Sequence, residues 1–360
     1  MYPRDGDPPT PQGQLAGGSA QFTGRFERAI EVGQKELAVH PDVSFSYGNL
    51  ALSYFYIDHF AEADGILRRA AERKMANPNH LLLRYEIAAL QDDQGQMDQI
   101  AALAKGKQGA EHRVIHAESL FLARSGRLGA ARELSNRAVD LAMQAGENET
   151  AASYRAARGF WEAIYGNAAE GKSSATAALK LSKGRDLEYA SGLGLALSGD
   201  STQAQALAGG LEKSFPEDTF VKFTYVPVLR AAAALGRAKP ADIVRGLEVT
   251  LSYERAANGL NYVHFYLGGL HSAYVRGEAF IAARRYPEAA AEFQKILDHR
   301  GIVGLDPIGA LAHLQLGKVF KLSGDKAKAK AAYEAFFALW KNADLDVRIL
   351  KSAKADFSRL

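Results

Sequence analysis

The sequence predicts an all-α protein, a solenoid of antiparallel helix pairs, and three observations predict it. Alanine is abundant and apolar residues return at helical spacing, while strand-like runs of alternating Val, Ile and Thr are nearly missing. Helical patterns of about 12 to 16 residues are broken repeatedly by small turns: "ARSGRLGAA", "IYGNAAEG", "ALSGDSTQA", "ALGRAKPAD", "AARRYPEAA" and "KLSGDKAKA". The turn glycines Gly126, Gly166, Gly199 and Gly236 follow one another at intervals of 40, 33 and 37 residues, and Gly324 continues the set. A helix-turn-helix unit of that period cannot bury its apolar face alone, so successive units stack.

Composition bounds the chemistry. With 360 residues, 47% of them hydrophobic and 24% charged, the chain can bury one large core or several small ones. A net charge of +3 and a pI near 8.8 create no global field that selects nucleic acid or an anionic membrane. Cysteine is absent, which excludes disulfides, thiolate nucleophiles and Cys-based zinc or iron–sulfur sites. No apolar run approaches the roughly 18 residues of a membrane span. The start, "MYPRDGDPPTPQGQ", lacks the basic-then-apolar layout of a secretory signal, so a cytoplasmic location is expected.

Taken in order, residues 1–12 read as an extended segment, 13–344 as the helical array and 345–360 as a capping helix. Pro8, Pro9 and Pro11, with Gly13, Gly17 and Gly18, leave the first expected helix short, frayed or partly missing. "RFERAIEVGQKELAVHPD" is the second half of an early repeat, closed by Pro41. Tyr47, Leu50, Ala51, Tyr54, Phe60, Ala63, Leu67 and Ala70 then alternate large and small residues. The scheme returns at Gly277, Phe280, Tyr286, Ala289 and Phe293, and again at Gly317, Phe320, Ala329 and Tyr333. Small residues belong where paired helices cross closely, and aromatics fill the gaps on either side. The end of the chain spaces Leu350, Ala353, Phe357 and Leu360 as one apolar stripe, as a helix covering the last repeat requires.

That large-and-small spacing resembles the tetratricopeptide repeat, which implies a right-handed solenoid of about nine pairs. "MYPRD", "KSFPEDTFVKFTYVPVLRAAAAL", "AEFQKILDHRGIVGLDPIGALAHLQLG" and "AAYEAFFALWKNADLDVRILKSAKADF" make the chain resemble the tetratricopeptide region behind the kinase domain of bacterial eukaryotic-like serine/threonine kinases. The kinase is not in the sequence: "DHRGIV" has Gly301 where the catalytic aspartate would stand, and "ADFSRL" has Ser358 after Asp356 and Phe357. The resemblance implies the non-catalytic part of such a protein, a sensor or regulatory module.

Several motifs compete with this reading. Gly166, Gly171, Lys172 and Ser173 match the phosphate-loop pattern, which would make the chain a nucleotide-binding protein. A working loop needs a buried strand before it, whereas "AASYRAARGFWEAIY" is helical; the repeat already uses Gly166 in a turn and Gly171 at a helix crossing. His112 and His116 stand four apart as in zinc proteases, but Arg113 replaces the needed Glu, so they read as surface and groove histidines. Gly192 and Gly194 read as close helix packing rather than a dinucleotide fingerprint. "NET" at Asn148 is a glycosylation triplet without an export signal. Lys326, Lys328 and Lys330 read as a solvated face. No catalytic residue, cofactor or metal is expected.

Binding is expected along the concave side, lined by the first helix of each pair: Phe45, Asn49, Arg113, His116, Phe160, Tyr189, Phe223, Arg230, His271, Tyr274, Glu278, Gln315 and Lys318. Asn49 matches an asparagine with which some tetratricopeptide domains hold a terminal carboxylate, but Leu82 and Glu86 stand where lysine and arginine would assist it. The expected partner is a protein or peptide, extended or helical, with no nucleic acid. The alternative is a structural scaffold that self-associates through the solenoid ends.

Overall fold

The computed structural model describes residues 20–257 and 267–360; the expected N-terminal segment and first helix lie outside them. Helix α1 (Phe26–Val39) leads into five regular pairs. These are α2 (Ser44–Tyr56) with α3 (Phe60–Glu72), α4 (Pro78–Leu90) with α5 (Gln94–Ala104), and α6 (Glu111–Arg124) with α7 (Leu128–Gln144). Next come α8 (Asn148–Ile164) with α9 (Ala168–Leu181) and α10 (Arg185–Leu197) with α11 (Ser201–Ser214). The sixth pair is short, α12 (Val226–Ala234) and α13 (Pro240–Leu247). Two more follow: α14 (His271–Ala282) with α15 (Tyr286–Leu297), then, after the one-turn α16 (Arg300–Val303), α17 (Ile308–Leu322) with α18 (Lys326–Leu339). Helix α19 (Arg348–Phe357) closes the chain as the expected cap, burying Leu350 and Ala353. The described residues thus hold eight pairs, preceded by α1 as the second half of an earlier repeat.

The turns work as their sequence implies. Gly126, Gly166, Gly199, Gly236 and Gly324 all have φ between +72° and +87°, the left-handed conformation that ends a helix. The second helix then follows, and Asp200 after Gly199 and Asp325 after Gly324 cap it by accepting a hydrogen bond from the N–H three residues on, as Asp93 does after Asp92. Within pairs, a β-carbon at Gly277 would lie 2.6 Å from the Phe293 ring and one at Gly317 2.9 Å from Tyr333, so small-against-aromatic packing sets how closely the helices approach.

The repeat fails once. Pro227 lacks an N–H and its ring would strike the carbonyl of Phe223 in an α-helix. The chain widens into a π-turn over Val221–Tyr225, where the Val226 N–H reaches back to the Val221 carbonyl. A 3₁₀ turn, Glu248–Ser252, follows α13 in place of a full second helix. Arg276, buried on α14, ties this irregular stretch down by bonding Glu254 and Glu292 at 2.7 Å each.

The solenoid closes on itself. Asp58, in the α2–α3 turn, accepts hydrogen bonds from the Arg300 and Gly301 N–H groups and so caps α16 from 242 residues away. Asp344 does the same for α7 through the Gly129 N–H at 2.8 Å. At the opposite helix ends, the Arg300 guanidinium donates to the Leu90 carbonyl of α4 and Trp340 Nε1 to the Arg124 carbonyl of α6, 2.9 Å away. Helix termini carry backbone groups with no intrahelical partner, and these four contacts satisfy them across the seam. Space there is minimal: a β-carbon at Gly301 would lie 1.8 Å from the Phe55 carbonyl oxygen.

Replacing Gly301 with alanine should therefore force the seam apart, seen as faster amide hydrogen exchange at residues 55–58 and 300–303 together with a lower Tm. Removing the Asp344 cap with alanine should destabilise by about 1 kcal/mol. Unchanged exchange in Gly301→Ala would mean the two edges do not touch in solution.

Candidate partner-binding surface

Six of the thirteen residues expected to line an open groove, His116, Phe160, Tyr189, His271, Tyr274 and Gln315, are buried instead, a correction that follows from the closure. His116 stacks on Tyr154 at 3.9 Å, Tyr189 on Tyr225 at 4.1 Å, and Phe160 meets His271 edge-on at 5.0 Å. Tyr274 and Glu278 both take hydrogen bonds from Gln315, and Lys318 beside them is half-buried. Arg113 donates to the Gly109 carbonyl at 2.7 Å and pairs with Glu147 at 3.0 Å. Once the chain has come full circle, the axial space is too narrow for these side chains to face water. Of the other seven, Phe45 and Arg230 are exposed, while Asn49, Arg113, Phe223, Glu278 and Lys318 are half-buried. His112, also expected near the surface, is buried against the Tyr154 hydroxyl at 2.9 Å, and desolvation holds its pKa below the usual histidine value.

At the axis a polar network replaces the groove. Asp306, fully buried, accepts from His271 Nε2 at 3.0 Å, the Gly268 N–H at 3.1 Å and the Ile308 N–H at 2.9 Å. The Tyr189 hydroxyl lies 3.4 Å from the other ring nitrogen of His271. Glu86 sits nearby, 2% exposed, with no cation beside it, and burial pushes its carboxyl well above the ordinary range. The adjoining cavity is about 10 Å³, room for roughly one water molecule, so this network holds the fold rather than a substrate. Among the described residues no group of three or more His, Asp or Glu is arranged to hold a metal ion.

The phosphate-loop letters resolve as the repeat implied. Gly166 ends α8 at φ +85°, a helix and not a strand precedes it, and a β-carbon at Gly171 would lie 2.6 Å from Ser198 Oγ. Lys172 is exposed and pairs with Asp200 at 2.7 Å. A β-carbon on Gly194 would lie 3.0 Å from the Gly159 backbone, the close packing of α8 against α10.

An open groove of about 480 Å³ lies where the repeat fails, between the end of α11, the π-turn with α12, and α13. Val221, Val226, Pro227, Ala231, Ala234 and Ile243 form its apolar floor, and Glu212, Lys222, Arg230 and Asp242 its rim. Arg230 bonds Glu212 at 2.7 Å, and the Lys222 ammonium lies 5.7 Å over Phe223. Gly246 also lines the groove, and a β-carbon there would meet nothing within 4 Å. The volume falls in the usual range for binding clefts, about 300 to 1,000 Å³. Sequence reasoning chose Arg230 but missed the floor; Pro227 inside a helical pattern was the available signal.

No family model matches the chain, and no curated protein matches it. Solved structures to which it is similar include yeast Tom70, at TM-score 0.42 and 13% identity over 96% of this chain and 88% of that one. The Cut9–Hcn1 hetero-tetramer of the APC/C matches at TM-score 0.35 and 15% identity, over 96% and 72%. The TPR2AB-domain:pHSP90 complex of yeast Sti1 matches at TM-score 0.30 and 12% identity, over 97% of each chain.

Glu86 yields a pH prediction. Its pKa is raised by folding, so the stability it permits is full below about pH 4.5 and declines as pH rises through the elevated folded-state value. Thermal melts should show wild type losing stability relative to Glu86→Gln as pH rises above about 4.5, by up to about 1.4 kcal/mol per pH unit, until the raised folded-state value is passed. Parallel pH profiles for the two proteins would rule the buried carboxyl out.

Proposed function

We propose that the protein is a non-catalytic interaction module that captures a polypeptide segment in the α11–α13 groove. The observation that carries this reading is an apolar cleft with a charged rim on a superhelix whose axis is otherwise filled by its own side chains. An apolar side chain of the partner desolvates against Val226, Pro227, Ala231 and Ile243, which supplies most of the affinity. The Arg230–Glu212 pair and Lys222 at the rim orient the backbone and set specificity more than strength. The resemblance to kinase-linked arrays supports placing the module as a sensor or regulatory arm of a larger bacterial signalling protein, which proximity labelling in cells tests.

Peptides selected from a random display library on the full chain should lose affinity at least about tenfold for Gly246→Trp, which fills open space without backbone strain. They should bind Gly209→Trp normally, since Gly209 also has open space but lies outside the groove. Equal binding to both variants would move the site elsewhere.

A further inference from the structure

The charge of this chain is unevenly placed. Residues 318–360 contain ten Lys and Arg against five Asp and Glu, a surplus of five in a chain whose total is +3. Much of the acidic complement there is already engaged. Asp325 pairs with Lys328, Glu334 with Lys330, and Asp356 with Lys321, while Asp344 caps α7. Left exposed and without an ion pair among the described residues are Lys326, Lys341, Arg348, Lys351, Lys354 and Arg359; Asp346 is the opposing exposed acid. Leu345, in the loop joining α18 to α19, stands 77% exposed among them.

We propose that this end of the superhelix docks on an anionic lipid bilayer. The inner face of α19 is occupied, with Leu350 and Ala353 buried and Phe357 packed on Tyr333 and Phe337, so its basic residues project outward. Of the aromatic rings of this region, Tyr333, Phe336, Phe337 and Trp340 pack on one another or on Phe357 and Tyr165, and Phe320 is half-buried with the Lys328 ammonium 5.6 Å from its ring centre, an arrangement that favours a diffuse anionic surface over stacked nucleobases. Flexible lysines on a convex surface read diffuse negative charge rather than a defined sequence, and a protruding leucine beside them enters the headgroup layer. A lipid surface uses both features at once. The net charge of the whole chain conceals the patch because the remainder is slightly acidic.

The test is co-sedimentation of the full chain with phosphatidylcholine vesicles, with and without about 30% phosphatidylserine. Binding should need the anionic lipid, disappear at about 0.5 M salt, and fall at least about tenfold in Lys351→Glu/Lys354→Glu. The matched pair Lys105→Glu/Lys107→Glu changes total charge equally in the exposed turn between α5 and α6 and should bind as wild type. Indifference to phosphatidylserine overturns the proposal, and so does equal weakening by both pairs. Retention by polyglutamate or duplex DNA without vesicle binding overturns it as well. Circular dichroism melts of all variants keep misfolding from passing as lost binding.

Discussion

Asp58 and Asp344 each cap a helix that begins more than two hundred residues away in the chain, and the rest of the architecture depends on those contacts. A helix N-terminus offers unpaired N–H groups and a partial positive charge, and a carboxylate satisfies both. Arg300 and Trp340 complete the arrangement from the carbonyl ends of α4 and α6. Gly126 and Gly301 allow the two edges to meet, since a β-carbon at either would overlap the opposing edge. Polar groups that would otherwise face water at the repeat edges thus become the fastening between the first and last parts of the chain.

Closure changes what the concave residues do. Phe160, Tyr189 and His271 come from helices α8, α10 and α14, yet they form one cluster at the axis with Asp306 below them. The Asp306 carboxyl accepts from a histidine and two backbone N–H groups, as a buried polar group must. At Glu86, burial alone raises the carboxyl well above the ordinary range. The two surfaces proposed for recognition lie where the closure leaves room: the groove at the π-turn, where Pro227 interrupts the repeat, and the basic cap, where the repeat stops.

Much of this was legible residue by residue. Each turn glycine takes the left-handed conformation its position implied, and Gly277 and Gly317 meet the aromatics sixteen residues on, as the small-and-large spacing required. The misleading phosphate-loop letters were explained by the same bookkeeping, Gly166 in a turn and Gly171 at a crossing. The site was far less legible. Arg230 was selected with twelve others, half of them buried, and the apolar floor around Pro227 and Ile243 was overlooked because it arises from a defect in the repeat.

The sequence by itself determined the helices, their turns, the pairing of small with aromatic residues and the capping stripe at the end. All of these are interactions between neighbours, written at fixed short spacings. Only the tertiary structure decided that the solenoid closes, that its inner face becomes core, and which cations are left unpaired at its end. Those outcomes follow from small rotations accumulated over many helix pairs. No single residue encodes that sum, so the partners of Asp58, Asp306 and Asp344 exist only once the whole chain has turned.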